Sequence, residues 1–193
     1  MSTDERTSPA EGGSNAQTVR FRGIDELTLV ADEWNRDADT AADKPTILML
    51  HGGGQNRHSW KNTGQILANA GFHVVALDSR GHGDSDRSPT ANYSLETLTG
   101  DTLQVIYQIG RPVALIGASM GGLTSLPVAH EAGPELVTKL VLVDVVPRFE
   151  KSGSARIRDF MFSGIDGFAS LEEAADAVAA YLPHRTRPRS VEG

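Results

Sequence analysis

The chain has 193 residues, no cysteine, and a formal net charge of -7 with a sequence pI near 5.3. This length suits one domain with a substantial core, and the acidic balance argues against nucleic acid as a partner. Without cysteine there are no disulfides, thiolate metal sites or cysteine nucleophiles, so covalent catalysis would have to use oxygen or nitrogen. No apolar run reaches the roughly 18 residues of a membrane span, and the N-terminus does not resemble a signal peptide. We therefore expect a cytoplasmic protein with no membrane partner.

The first part of the chain predicts a tail followed by paired strands. Residues 1–18 are polar and rich in Ser, Gly, Glu and Thr, so we expect a disordered tail with too little apolar surface to offset the entropy of ordering it. The alternating segments VRFRG and LTLVADEW predict two neighbouring antiparallel strands at the edge of a larger sheet, joined by a turn near Gly23 to Glu26.

Four later segments are short, unbroken apolar runs: TILML (46–50), HVVAL (73–77), VALIG (113–117) and LVLVDVV (140–146). Continuous hydrophobicity is typical of parallel strands that helices cover on both faces. Helix-like segments lie between them, at about 60–69, 95–109 and 120–131, and the second follows a capping serine, Ser94. This alternation predicts an α/β fold with a doubly wound, mainly parallel sheet over residues 19–150.

The last part of the chain, residues 151–193, has a different pattern. It contains two helical segments, 154–162 and 171–181, and no strand pattern. The second begins with Ser170 followed three residues later by Glu173, which is a capping-box pattern. We expect this segment to begin a helical cap over the strand ends.

The segment ALIGASMGGLTS (114–125) places Gly117, Ser119 and Gly121 in a Gly-X-Ser-X-Gly pattern between a strand and a helix. Small residues on both sides of the serine permit a sharp turn that exposes its hydroxyl. The helix beginning at Met120 would direct free N–H groups toward that hydroxyl. An ordinary glycine-rich turn is the alternative interpretation of this pattern alone.

A second glycine-rich segment ends an earlier strand. In ILMLHGGG (47–54), His51 precedes three glycines at the place where a second oxyanion donor would be needed. The N–H groups of Gly53 and Met120 would then converge on the oxygen of a tetrahedral intermediate. A flexible turn or a phosphate-binding loop is the alternative, but the Walker lysine and the dinucleotide glycine spacing are missing.

Together, HGGG, ALDSRGHGDSDRS (76–88), GASMGG and LVLVDVVP (140–147) resemble the α/β-hydrolase fold family in order and spacing. The branch is that of small esterases, non-haem haloperoxidases (perhydrolases) and carbon–carbon bond hydrolases. The resemblance implies a Ser119 nucleophile, an oxyanion hole of Gly53 and Met120, a small-molecule acyl substrate, and no cofactor. Epoxide hydrolases carry aspartate at the nucleophile position, so a serine favours acyl chemistry. Perhydrolysis stays open, although haloperoxidase-like members usually have a bulky residue where this chain has Gly53.

A serine nucleophile needs a histidine base and a carboxylate that orients it. In this family the acid follows the next strand after LVLVDVV and the histidine lies on a loop after the last strand, whereas the residues after Pro147 predict helices and a loop. His184 has an arginine neighbour that disfavours imidazolium, so we expect a surface residue there. Asp144, just after the LVLVDVV strand, is a candidate acid. We therefore expect a chain that stops inside or just after its cap, carries the nucleophile and oxyanion hole, and lacks the histidine base.

Two further interpretations concern the remaining charged and apolar groups. Asp78, Asp84 and Asp86 could suggest a metal site, but the resemblance implies a structural turn in which they bond backbone and arginine, and we expect no metal. The alternative function class is a non-catalytic interaction protein that keeps the hydrolase core and forms a homodimer along the exposed edge of the LVLVDVV strand.

Overall fold

A computed structural model describes residues 16–37, 44–145, 159–160, 162–164, 167–184 and 186–187. The chain divides into two compact units, Met1–Val145 and Val146–Gly193. Residues 1–15 of the expected tail lie outside the described residues. Gln17 and Thr18, which we expected in that tail, instead begin the first strand, where they pair with Glu33 and Asp32.

The described residues of the first unit form a sheet of six strands in the order β1-β2-β4-β3-β5-β6. The strands are β1 (Gln17–Arg22), β2 (Thr28–Trp34), β3 (Thr46–Leu50), β4 (Val74–Leu77), β5 (Val113–Ala118) and β6 (Val137–Val143). β3 is parallel to both β4 and β5, and β5 is parallel to β6. The predicted doubly wound, mainly parallel sheet is therefore confirmed.

The predicted hairpin is present, but only one of its strands lies at the edge. β1 pairs antiparallel with β2, and β2 pairs antiparallel with β4. A 3-10 turn, Ile24–Glu26, joins the two strands at the predicted place. β2 is an interior strand because β1 covers its outer side, and six of its seven residues are buried.

Three helices flank this sheet: α1 (Lys61–Asn69), α2 (Leu95–Ile109) and α3 (Met120–Ala132). A short 3-10 helix, Arg57–Trp60, precedes α1. α2 has the predicted bounds because Ser94 accepts the N–H of Thr97 at its start, and Gly110 ends it with a φ of 71°.

Alternate residues of the central strands bury two opposite faces of the sheet. Leu48 and Leu50 of β3 pack in one apolar cluster with residues of α2 and α3, such as Ile106 and Val128. Ile47 and Met49 belong to the other cluster, which includes residues of β4 and α1. Full burial of each large aliphatic side chain contributes about 2 kcal/mol, so both layers of helices are needed to stabilise the central strands.

The last strand of the sheet, β6, is much more exposed than the other parallel strands. We expected a strand over 140–146, whereas β6 begins three residues earlier and ends at Val143. One edge pairs with β5, and no described residue pairs with the other edge. Val141, Leu142 and Val143 are 48%, 40% and 42% exposed.

In the second unit, residues 159–160 and 162–163 are helical, and α4 spans Leu171–Tyr181 as predicted. Ser170 accepts the N–H of Glu173 at 3.1 Å, and the Glu173 carboxylate accepts the N–H of Ala169 at 2.6 Å. This reciprocal capping explains why α4 begins where the sequence pattern places it. Most of the predicted 154–162 helix lies outside the described residues. None of the helices in the described ranges is long and apolar enough to cross a membrane.

Candidate active site

The carboxyl ends of the parallel strands bring the predicted site residues to one edge of the sheet. His51 follows β3, Ser119 follows β5, and Asp144 follows β6. Two backbone hydrogen bonds fasten these ends together: the Ser119 N–H donates to the Val143 carbonyl at 3.0 Å, and the Gly121 N–H donates to the His51 carbonyl at 3.1 Å. Ligands of open α/β sheets bind at this edge.

Ser119 occupies the sharp turn between β5 and α3. Its φ is 45° and its ψ is -111°, a conformation that a residue with a side chain rarely adopts. The turn is so tight that a Cβ on Gly117 would come within 2.5 Å of the Gly121 carbonyl oxygen. A Cβ on Gly121 would in turn lie 2.7 Å from the His51 carbonyl oxygen. The glycines therefore permit a backbone conformation that costs on the order of 1–3 kcal/mol and turns Ser119 outward.

The Ser119 side chain is exposed and makes no capping hydrogen bond to α3. Among the residues that the structure describes, its hydroxyl has no hydrogen-bond partner. Many serines near a helix start accept a backbone N–H and thereby satisfy the first turn. Ser119 does not, and neither its hydroxyl nor the first N–H of α3 has a partner among the described residues.

The loop of residues 52–54, which we call the oxyanion loop, lies against this turn. A Cβ placed on Gly53 would be 3.9 Å from both the Cβ and the sulfur of Met120. A Cβ on Gly52 would be 3.5 Å from the Ser119 Cβ. The predicted residues Ser119, Gly53 and Met120 are thus brought together, as the motif spacing requires.

Hydrogen bonds within the oxyanion loop engage the groups around Gly53 and leave Gly53 itself free. The Gly52 N–H donates to the Gln55 side chain at 3.0 Å, and the Gly52 carbonyl accepts the Gln55 N–H at 3.1 Å. The Gly54 N–H donates to Nε2 of His82 at 3.3 Å. In the described part of the chain, neither the Gly53 nor the Met120 N–H has an acceptor. Two open donors therefore lie beside the Ser119 hydroxyl.

His51 is a buried structural residue. Its Nδ1 donates to the Gly52 carbonyl at 2.8 Å, so Nε2 is the acceptor for the Ser79 N–H at 3.0 Å. Burial lowers the pKa of His51, and the neighbouring His82 lowers it further, against an opposing effect of the Gly52 hydrogen bond. The ring is therefore a neutral tautomer with both nitrogens engaged, and it cannot take the Ser119 proton.

The other histidines do not supply a base to Ser119 within the described contacts. His82 has both ring nitrogens bonded to backbone, at Gly54 and Arg80. His73 is buried between Thr46 and Glu33. His58 lies 3.4 Å from Asp32, while His130 and His184 are exposed.

Asp144, the candidate acid, follows the strand residue whose carbonyl binds the Ser119 amide. It is exposed and has a positive φ of 54°. Its carboxylate has no hydrogen-bond partner among the described residues. The structure therefore places a free carboxylate one residue beyond the carbonyl that fixes Ser119.

The three aspartates of the ALDSRGHGDSDRS segment (76–88) bond arginine and backbone. Arg57 is buried and binds Asp32 at 2.9 Å, Asp78 at 2.5 Å and Asp84 at 2.7 Å. Burial alone would lower the pKa of Arg57, but its hydrogen bonds to these three carboxylates raise it. Asp86 accepts the N–H of Thr28 at 2.8 Å. These contacts have the arrangement expected of a structural turn, and they join the loop after β4 to β2 and the Arg57–Trp60 helix.

Sequence reasoning missed Gln55 at this site and did not identify the group that His82 contacts. Gln55 contacts Gly52 through its side chain and its backbone N–H, whereas the His82 ring accepts the N–H of Gly54, 28 positions away. The glutamine directly after HGGG was a local signal, because a side chain at that position can bond back to the loop. The His82 contact had no comparable signal, since it depends on how two separate loops meet.

Comparison with known proteins agrees with this geometry. A family model described as the alpha/beta hydrolase fold matches residues 45–187. The esterase Rv0045c of Mycobacterium tuberculosis is 36% identical over 182 residues, covering 91% of this chain and 57% of the esterase. Protein phosphatase methylesterase 1 of Mus musculus is 32% identical over 145 residues, covering 71% of this chain and 37% of the methylesterase. A crystal structure of an alpha/beta hydrolase from Novosphingobium aromaticivorans superposes with a TM-score of 0.76 at 27% identity, over 88% of this chain and 57% of that one.

The family match includes the strands, turns and helices that form the candidate site. The chain spans 57% of the length of the mycobacterial esterase and 37% of the methylesterase, so it covers less than two thirds of either. Its relatives include hydrolases of ester bonds. Because the family model matches most of the chain and the strand–turn–helix around Ser119 has the corresponding geometry, the chain belongs to the alpha/beta hydrolase family.

Proposed function

We propose that this chain carries the nucleophile and the oxyanion hole of a serine hydrolase that acts on carboxylic esters. One observation carries the proposal: the exposed Ser119 hydroxyl lies at a strained turn beside two N–H groups, of Gly53 and Met120, that have no acceptor in the described residues. An enzyme that stabilises a developing oxyanion needs donors that are fixed in place and unoccupied before substrate arrives.

The arrangement supports a two-step acyl transfer. The Ser119 oxygen attacks the acyl carbon, the carbonyl oxygen becomes an anion, and the N–H groups of Gly53 and Met120 stabilise it. The serine proton passes to a general base and then to the departing alcohol, which leaves an acyl ester on Ser119. Water, deprotonated by the same base, attacks that ester and releases the carboxylic acid. The positive end of the α3 dipole also favours the oxyanion.

The general base is the missing component of this mechanism in the described contacts. The ring nitrogens of His51 and His82 bind backbone groups, and Ser119 has no histidine partner in the part of the chain described. We propose Asp144 as the orienting acid, because its carboxylate has no partner among the described residues and directly follows Val143, whose carbonyl accepts the Ser119 N–H. We therefore expect ester hydrolysis by this 193-residue chain alone to stay close to background.

The substrate class is supported by the nucleophile and by the relatives. A serine attacks acyl carbon efficiently when an oxyanion hole is present, and its covalent product is an ester that water can cleave. The similarity to an esterase and to a methylesterase supports a carboxylic ester as the bond attacked. A small-molecule acyl ester is therefore the substrate that we propose.

The proposal is tested by covalent labelling over a prolonged incubation, because an oxyanion hole speeds attack by a serine even where no histidine takes its proton, although less than a complete triad does. The chain is incubated with a fluorophosphonate, which phosphonylates activated serines, and its mass is followed over time. We expect one adduct on the wild-type chain and none on Ser119→Ala. The matched control is Ser59→Ala, which removes another exposed serine from the first unit and should label at the wild-type rate.

Two results would contradict the proposal. The first is a wild-type chain that labels no faster than Ser119→Ala, because Ser119 would then have no nucleophilic activation. The second is equal loss of labelling in Ser59→Ala, since labelling would then report general serine exposure. Thermal melts of both variants exclude unfolding as the cause of any loss.

A second candidate function, a protein interaction module, is favoured by the exposure of β6. Val141, Leu142 and Val143 are between 40% and 48% exposed, and apolar strand edges readily pair with another chain. A homodimer formed through this edge would appear as a doubled mass in analytical ultracentrifugation and would dissociate in Leu142→Lys. A stable dimer without Ser119 labelling would favour this function, and a labelled monomer would contradict it.

A further inference from the structure

His82 contacts the oxyanion loop from a separate turn and is not used in the proposed mechanism. It lies in the loop after β4, and its Nε2 is 3.3 Å from the Gly54 nitrogen. Its Nδ1 is 3.1 Å from the Arg80 carbonyl oxygen. The ring also lies against His51, with 4.9 Å between the ring centroids. The side chain thus joins the DSRGHGDS turn to the loop that contains Gly53.

The two hydrogen bonds define the state of the His82 ring. A carbonyl oxygen only accepts, so Nδ1 must carry a proton toward Arg80. A backbone N–H only donates, so Nε2 must be bare toward Gly54. Only the neutral ring protonated at Nδ1 satisfies both contacts. A second proton, on Nε2, would place two donors against each other and break the bond to Gly54.

The surroundings of His82 offer little compensation for a positive ring. The ring of His51, which directly follows β3, contacts the His82 ring, and Tyr93, which precedes α2, lies against Gly81 next to His82. The carboxylates of Asp78 and Asp84 bind Arg57 of the Arg57–Trp60 helix, and Arg80 binds Asp101 and Asp25.

We propose that His82 is a positioning residue that holds the oxyanion loop, through Gly54, in the conformation that presents the Gly53 N–H to substrate. Protonation of His82 releases that hold, so the donor geometry of the site depends on pH. This inference rests on the proposed function, because it concerns the same oxyanion hole. Gly53 is the residue between two anchored neighbours: the Gln55 side chain binds Gly52, and His82 binds Gly54.

The test measures loop order and Ser119 reactivity in the same variants. Hydrogen exchange reports the protection of the Gly54 amide, and fluorophosphonate labelling reports the reactivity of Ser119. We expect His82→Ala to lower both by about tenfold, which corresponds to the loss of one hydrogen bond. His82→Gln keeps an acceptor near the Nε2 position and should restore most of both. His58→Gln, which removes an exposed histidine of the neighbouring 3-10 helix, should behave as wild type.

The pH profile separates a positioning role from a general structural one. As the pH is lowered from about 8 to about 5, the wild type should lose Gly54 protection and labelling rate together, because only the neutral His82 ring fits both of its hydrogen bonds. His82→Gln has no ring to protonate and should lose neither to the same degree. Intrinsic effects of pH on exchange are removed by comparing protection factors.

The outcomes distinguish this inference from the proposed function. If His82→Ala loses Gly54 protection but labels at the wild-type rate, the positioning role is wrong and the Ser119 proposal stands. If the wild type and His82→Gln have the same pH profile, the protonation switch is wrong. If the wild type labels no faster than Ser119→Ala, the proposed function fails, and the positioning role fails with it.

Discussion

Replacing Gly121 with alanine should destabilise the first unit strongly, because the turn around Ser119 depends on close backbone approach. A Cβ on Gly121 would lie 2.6 Å from the Leu50 carbonyl carbon and 2.7 Å from the His51 carbonyl oxygen. Both neighbours are backbone atoms at the end of the central strand β3, so α3 must shift away from the sheet. That shift also lengthens the 3.1 Å hydrogen bond from the Gly121 N–H to the His51 carbonyl.

The expected cost is the sum of two effects. Overpacking against rigid neighbours costs about 2 kcal/mol, and the weakened backbone hydrogen bond adds about 1 kcal/mol. A total of about 3 kcal/mol corresponds to a fall in Tm of roughly 6–12 °C for a chain of this size. Urea unfolding followed by circular dichroism measures the free energy, and a thermal melt measures the Tm.

Gly53→Ala is the matched control for this prediction. A Cβ on Gly53 meets nothing closer than 3.9 Å, and its φ is not in the positive range. The substitution should change the free energy of unfolding by less than about 0.5 kcal/mol. If Gly121→Ala costs no more than Gly53→Ala, the account of the tight turn is refuted.

Three further predictions concern strain, a buried ion pair and pH. In urea titrations, Ser119→Gly should have a free energy of unfolding about 1 kcal/mol higher than Ser119→Ala, because glycine adopts the φ of 45° without strain. Equal stability of the two variants would contradict the strained turn. Asp101→Asn should lower the free energy of unfolding by about 3–5 kcal/mol in the same assay, because the fully buried Arg80 guanidinium loses the carboxylate that binds it at 2.6 Å. A loss below about 1 kcal/mol would show that the ion pair is not needed for stability. Burial lowers the pKa of His51 below its ordinary 6.5, so the folded state disfavours the charged ring. The free energy of unfolding should therefore fall as the pH drops below about 6.5, by at most about 1.4 kcal/mol per pH unit for this group. His51→Gln should show a shallower fall with pH, and a slope equal to that of the wild type would contradict this role of His51.

The strands and helices of the interior could be predicted well from the sequence because their signals are local. TILML is a run of five residues buried on both faces, and the observed β3 spans the same residues. α2 has a capping serine at one end and a glycine at the other, so both bounds follow from backbone chemistry. The glycines around Ser119 likewise predict the turn, since few other residues fit it.

Features that depend on contacts between distant segments were not predictable in the same way. The continuous apolar run of β6 predicted a strand with an exposed edge and helices on both faces, yet the Val141 and Val143 side chains are exposed, because periodicity does not say which neighbours are present. The tail boundary was misplaced because Gln17 and Thr18 are polar, and their place in the sheet depends on pairing with β2. The bond between His82 and Gly54 forms only when two loops meet at the strand ends.

The most direct test of the central claim is the location of the fluorophosphonate adduct by tandem mass spectrometry. The account predicts that the phosphonyl group lies on the peptide that contains residues 114–125, and that the fragment ions assign it to Ser119 rather than to Ser125, which is fully buried. An adduct on another serine, or a wild-type chain that after prolonged incubation is labelled no faster than Ser119→Ala, would contradict the claim that Ser119 is the nucleophile.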